Sequence, residues 1–313
     1  MDALRISSYT IRKVEFPSEG ATLRGLLHLP EAQPPNKPPI VIMAHGLSAT
    51  VRMVADKYAE AFCRAGLAVL LYDHRNLGSS GGEPRPEVNP WIQARGYLDA
   101  MNFSEKLDKV DHNRMALWGD SYSAVEVMVV SAIDKRVRAI VAQVPVCGAE
   151  LPRIEPSRAN FKIIEETFLT GDVRGSPKTT KGPIPVVSSD QIGTPSVIKP
   201  IQAFRWFIDY GGRPGSLWIN SVTRVTPATP VPFNAVLCAP FVRAPILMMV
   251  APEDEIANAS YSVAKEAFQL VPGPKQWYDI GGGHFGLIYF PGEVFDEASR
   301  VQTEFFKRWL SVL

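Results

Sequence analysis

Between Arg114 and Val130, a short apolar run passes through Gly119-Asp120-Ser121-Tyr122-Ser123 directly into a second apolar run. The pattern predicts a strand, a very tight turn and a buried helix. Ser121 would then be held in a strained conformation with its hydroxyl exposed at the strand's end. Small neighbours must leave such a turn clear. Gly119 meets that need, whereas Ser123 stands where a second glycine is usual and adds a Cβ and a hydroxyl. A serine hydroxyl is a poor nucleophile at neutral pH, so it needs an imidazole base, and the imidazole needs a carboxylate to fix its tautomer. His284, within Gly281-Gly282-Gly283-His284-Phe285-Gly286, and Asp254, within Ala251-Pro252-Glu253-Asp254-Glu255-Ile256, can supply them. Asp254 is preferred to Glu253 and Glu255 because a short acid immediately after a buried strand suits the orienting role. Asp120 should point away, since neighbours on a tight turn diverge. Nucleophile, acid and then histidine is a chain order known for acyl transfer.

Such chemistry also needs donors for a developing oxyanion. The run Ile40-Val41-Ile42-Met43-Ala44 ends in His45-Gly46-Leu47-Ser48, where Gly46 permits close backbone approach. The backbone N–H of Tyr122 is assigned as one donor and that of Leu47 as the other. His45 reads as a loop anchor rather than a base. With Phe204, Trp206, Phe207, Trp218 and Phe285, it is also a candidate for contact with substrate. The loop from Asp73 to Gly82 lacks a lysine and a Gly-x-x-x-x-Gly-Lys frame, so it is no phosphate cradle, and Asp73 and Arg75 are expected to tie it down.

The elements that must position these groups follow from periodicity. Residues 9–16 and 22–29 alternate with period two around Gly20-Ala21, predicting an antiparallel hairpin at a sheet edge. Pro34, Pro35, Pro38 and Pro39 mark a rigid linker before the core. Buried strands are expected at 40–44, 67–72, 137–144 and 244–250, further strands at 114–118 and 275–280, and helices at 54–64, 91–107, 126–130, 260–270 and 294–313. The alternation implies a mostly parallel, doubly wound α/β sheet with reactive groups at the strands' carboxyl ends. From 149 to 238 it breaks down amid prolines and aromatic clusters. A structureless loop of about 90 residues is implausible in a compact domain. This segment is therefore expected to be an inserted, mainly helical cap, with helices at 161–169 and 198–210, on a core formed by 1–148 and 239–313.

Composition narrows the function classes. With 46% hydrophobic and 21% charged residues and a net charge of +1, the 313-residue chain has no electrostatic footprint for nucleic acid or an anionic membrane. No apolar run approaches the ~18 residues that span a bilayer. Met1-Asp2-Ala3-Leu4-Arg5 does not open a signal peptide, so a cytoplasmic location is expected. Cys63, Cys147 and Cys238 lack metal-site or disulfide spacing and read as buried thiols. No cofactor is indicated.

Taken together, His45-Gly46, Gly119-Asp120-Ser121-Tyr122-Ser123, Asp254 and His284 resemble the α/β-hydrolase superfamily. Residues 72–82 and 281–286 are similar to its dienelactone-hydrolase and X-Pro-peptidase-like branch. More narrowly, the chain resembles fungal polyketide transferases and thioesterase-like hydrolases of secondary metabolism. The resemblance implies transfer of a polyketide-type acyl group, from a carrier thioester or ester, to water or to an alcohol that includes one on the same chain. A small-molecule ester or thioester, free or carrier-protein-bound, is the expected partner, with a second copy of the chain as a candidate. A general carboxylesterase, a peptidase acting after proline, and a ligand-binding receptor on the same scaffold are the alternatives. The peptidase would need an acidic group such as Glu155, Glu165 or Glu166.

Overall fold

The computed structural model describes residues 4–6, 9–31 and 37–311. The chain begins with β1 (Leu4–Ile6), β2 (Tyr9–Ser18) and β3 (Ala21–Pro30), an antiparallel meander. Glu19 and Gly20, both at positive φ (46° and 74°), form the two-residue turn joining β2 to β3, the geometry that matches strand twist. The predicted hairpin is thus present, but β1 lies outside it as the edge strand. Of the expected linker, Pro34 and Pro35 fall outside the described residues. Pro39 is the first residue of β4 (Pro39–Ala44), a strand position where a missing N–H is tolerated.

The wound core continues with α1 (Ala55–Arg64), β5 (Ala68–Tyr72), the two-residue β6 (Glu87–Val88), α2 (Pro90–Ser104), β7 (Asp111–Asp120), α3 (Tyr122–Ile133) and β8 (Val137–Gln143). Helix α2 starts at Pro90 because the Asn89 side chain accepts the Trp91 N–H and proline suits the first helical position. The segment 149–238 then adds α4 (Arg158–Thr170), β9 (Thr180–Ile184), α5 (Ile201–Gly211), β10 (Val222–Val225) and α6 (Ala235–Cys238). The chain returns to the large sheet with β11 (Ile246–Val250), α7 (Tyr261–Leu270), β12 (Lys275–Asp279), the single-turn α8 (Gly283–Gly286) and α9 (Glu293–Trp309).

Among the described residues, nine strands form the main sheet in the order β1-β2-β3-β5-β4-β7-β8-β11-β12, and every pair from β5 to β12 is parallel. Strand β4 is buried along its whole length because helices cover both faces. Its alternate residues feed two cores: Ile40, Ile42 and Ala44 pack with α2, α3 and α7, while Val41 and Met43 pack with α1 and α9. Burying a large aliphatic side chain is worth roughly 1.5–3 kcal/mol. This two-sided packing therefore makes the carboxyl ends of β4, β7 and β8 a rigid platform. Among the described residues, no helix is long and apolar enough to cross a membrane.

The small second sheet, ordered β6-β10-β9, was not expected. Its strands have two to five residues, too few to impose a readable period, and β6 comes from the loop before α2 rather than from residues 149–238.

Candidate active site

Strand β7 ends at Asp120, and Ser121 follows with φ 55° and ψ −113°. Its backbone is satisfied on both sides: the N–H donates to the Gln143 carbonyl at 2.8 Å, and the carbonyl accepts from the Val146 N–H at 3.1 Å. The neighbouring strand's end thereby supports a conformation that a lone turn would not hold. Gly119 is required because any Cβ there would collide with the Ser123 carbonyl.

His284 reaches the serine from the far edge of the sheet. Gly282 and Gly283 adopt positive φ (89° and 66°) and turn the chain into α8. The His284 Nε2 lies 2.9 Å from Ser121 Oγ, and Nδ1 lies 2.7 Å from Asp254 Oδ2. The imidazole and Asp254 side chains are only 4% and 3% exposed. Because an ionised carboxylate only accepts, this arrangement puts the imidazole proton on Nδ1 and turns the Nε2 lone pair toward the hydroxyl. Asp254 also accepts the Ile256 N–H at 2.8 Å, which fixes its carboxylate. Glu255, its rival in the sequence, accepts the His284 backbone N–H at 2.7 Å. A Cβ on Gly283 would collide with that Glu255 carboxylate.

The loop after β4 meets the same serine. Leu47 sits at φ 42°. A Cβ on Gly46 would lie 2.8 Å from Ser121 Cβ and 3.1 Å from the Tyr122 nitrogen, so the two backbones touch. Neither Leu47 nor Tyr122 donates its N–H within the described residues, and Tyr122, first in α3, has no partner one turn back. Both N–H groups are therefore free, and both residues line one cavity with Ser121.

Four buried groups that the sequence left without a role, Asp120, Ser123, His74 and Glu126, stand behind this surface. Asp120 does turn away from the serine, but toward the loop, holding His45 Nδ1 at 2.9 Å and accepting the Gly46 N–H at 2.8 Å. The other nitrogen of His45 lies 2.8 Å from the Met53 carbonyl, as expected of an anchor. Burial opposes charge on His45, yet the Asp120 carboxylate outweighs it and raises its pKa above the ordinary value. The Ser123 hydroxyl lies 2.9 Å from His74 Nε2, 2.9 Å from the His45 carbonyl and 3.0 Å from Glu126 Oε2. Burial pushes the Glu126 pKa up against the pull of His74 and Ser123. A lone glutamate in the apolar run after the serine was the available signal. Asp73 and Arg75 tie their loop down: Asp73 accepts from the backbones of Val51 and Ser79, and Arg75 donates to the Glu83 carbonyl.

A cavity of about 490 Å³ opens over Ser121 and His284. His45, Trp206, Phe207 and Phe285 line it, as expected. Phe204 and Trp218 do not. Helix α5 buries Ala203, Trp206, Phe207 and Tyr210 along one stripe, and Phe204 falls beside that stripe. Trp218 stands one layer back, against Phe207 at 5.3 Å between ring centroids, with its indole N–H directed at Ser48 Oγ. Glu155, Glu165 and Glu166 are also absent from the lining. Glu155 and Glu166 are exposed, and Glu165 faces a groove at the N-terminal ends of β8 and β11.

Residues 1–160 match the sequence pattern of the esterase FrsA-like family. The chain belongs to the FrsA-like esterases. Thiohydrolase aneE of Aspergillus aculeatus is 29% identical to this FrsA-like chain over 307 residues, spanning 95% of it and 92% of the relative. Polyketide transferase af380 of Aspergillus fumigatus is 26% identical over 302 residues, spanning 95% and 98%. The structure of α/β hydrolase GrgF from Penicillium sp. sh18 aligns with a TM-score of 0.70 at 24% identity, covering 96% of this chain and 99% of that one. This FrsA-like protein is thus an enzyme with the α/β-hydrolase fold.

Proposed function

We propose that the enzyme is a serine acyl hydrolase or acyltransferase that works through an acyl-enzyme on Ser121, taking a polyketide-type acyl group from a thioester or ester. The observation that carries this reading is the continuous line from Asp254 through both nitrogens of His284 to the Ser121 hydroxyl, with two unbonded backbone N–H groups beside it. The names of its relatives, thiohydrolase and polyketide transferase, support the acyl-group chemistry.

In this mechanism His284 Nε2 takes the Ser121 proton as Oγ attacks the carbonyl carbon, and Asp254 stabilises the imidazolium. The Leu47 and Tyr122 N–H groups hold the oxyanion, each such donor being worth about 3 kcal/mol in the transition state. Collapse expels the thiol or alcohol, which leaves with the imidazolium proton, and an acyl-serine remains. His284 then deprotonates water or an alcohol, which attacks the acyl-serine and regenerates Ser121. Residues 149–238 act as the cap, contributing Trp206 and Phe207 to the cavity wall.

Intact-mass measurement with a panel of acyl thioesters and lactones tests the reading. The expected result is an acyl adduct on the wild-type chain that Ser121→Ala lacks. Undiminished turnover by Ser121→Ala would refute the mechanism. Product partition between free acid and transferred ester then separates hydrolysis from transfer.

A further inference from the structure

Four residues with charged side chains, in addition to the histidines, border the cavity over Ser121: Asp120, Glu255, Lys199 and Arg224. Three are engaged. Asp120 holds His45 and Gly46, Glu255 holds the His284 N–H, and the Lys199 ammonium donates to the Thr194 carbonyl at 3.1 Å. The Arg224 guanidinium has no hydrogen-bond or ion-pair partner among the described residues. Its charge is close enough to Tyr122, the residue after the serine, to oppose the upward push on that phenol from burial and Glu126.

The strand ladder beside this cation is irregular. Along β10, Val222 pairs with Ile184 of β9 and Arg224 pairs with Lys181, so two steps on one strand oppose three on the other. The extra residue is a bulge around Gly182, at φ 133°, where a Cβ would come within 2.7 Å of the Val222 carbonyl. Bulges beside clefts commonly re-aim a side chain. Val222 and Val225 are buried while Arg224 stays exposed at the cavity. A planar guanidinium with its donors free suits the paired oxygens of a carboxylate or phosphate.

We propose that Arg224 recognises an anionic group on the substrate, so that the acyl donor carries a carboxylate or phosphate away from the reacting carbonyl. This inference rests on the acyl-enzyme reading. The anion has two possible sources: a carboxylate on the acyl chain or a phosphate on the departing thiol.

Three matched thioesters separate them: a neutral acyl group on N-acetylcysteamine, the same chain ending in a carboxylate on that thiol, and the neutral acyl group on phosphopantetheine. The wild type is expected to favour one anionic donor over the neutral one in kcat/KM. That ratio should fall about tenfold or more in Arg224→Gln, as loss of a charge-assisted hydrogen bond implies, and recover in part in Arg224→Lys. The favoured donor identifies the source. A wild-type enzyme indifferent to both anions, or an anion preference that survives Arg224→Gln, overturns the inference while leaving the acyl-enzyme intact. Failure of all three donors to acylate Ser121 overturns the acyl-enzyme reading, and this inference with it.

Discussion

Asp120 grips the loop after β4 with both carboxylate oxygens, holding His45 Nδ1 at 2.9 Å through one and the Gly46 N–H at 2.8 Å through the other. The residue before Ser121 thus anchors the loop that carries the Leu47 N–H. Asp120→Asn is expected to lower kcat by about 10- to 100-fold with a smaller change in KM, because a misaligned donor weakens oxyanion binding more than ground-state binding. Steady-state kinetics on one ester substrate provide the check.

The same pair has a pH signature. The folded-state pKa of His45 is raised, so its contribution to stability is complete below the unfolded value of 6.5 and is lost as pH rises through the folded value. Thermal unfolding of wild type and Asp120→Asn across that range is expected to show their Tm gap narrowing toward alkaline pH. A constant gap would contradict the assignment.

His28 has the opposite sign. It is buried in β3 against Tyr9 with no hydrogen-bond partner for either ring nitrogen among the described residues. Burial first, with Arg52 and Lys57 adding, lowers its pKa from 6.5 to about 4. The unfolded chain therefore takes up this proton first. As pH falls from 6.5 to about 4, the folded state loses roughly 3 kcal/mol. Chemical denaturation of His28→Phe should show a flatter acid limb than wild type.

How much of this was legible beforehand depended on the kind of signal. Ser121 and Asp254 each follow a buried stretch of strand and His284 follows the edge strand β12, all three among glycines or acids, so their position at one rim could be read from the sequence. The roles of Asp120 and Glu126 could not, because each depends on a partner distant in sequence, the loop at His45-Gly46 and the loop at His74. Helix α4 begins at Arg158, before the predicted Phe161, because the Ser157 hydroxyl caps it by accepting the Asn160 N–H. Pro200, the residue preceding the first helical position, moves the start of α5 from the predicted 198 to Ile201.

Ser123 replaces the usual glycine and has become part of the buried network. Its removal leaves His74 and Glu126 short of a partner in the core, so Ser123→Ala is expected to cost about 1–3 kcal/mol of stability. Urea unfolding measures this, and Ser123→Gly should be no more stable than the alanine variant.

Gly283 sets the height of the imidazole above the serine. With φ 66° and the Glu255 carboxylate against it, Gly283→Ala is expected to displace His284 and reduce kcat about 100-fold, the usual consequence of a misplacement near 1 Å. Adding Glu255→Ala relieves the clash but also removes the acceptor for the His284 N–H. The double mutant should therefore recover only part of the loss.

Strand β6 comes from the chain ahead of Ser121, yet it pairs with β10 of residues 149–238, Glu87 against Thr223 and Val88 against Arg224. The roof of the cavity is thereby stitched to its floor. Swinging that roof aside as one piece would unzip a strand pair. A chimera that borrows residues 149–238 from a relative would also inherit a mismatched seam unless Glu87 and Val88 travelled with them.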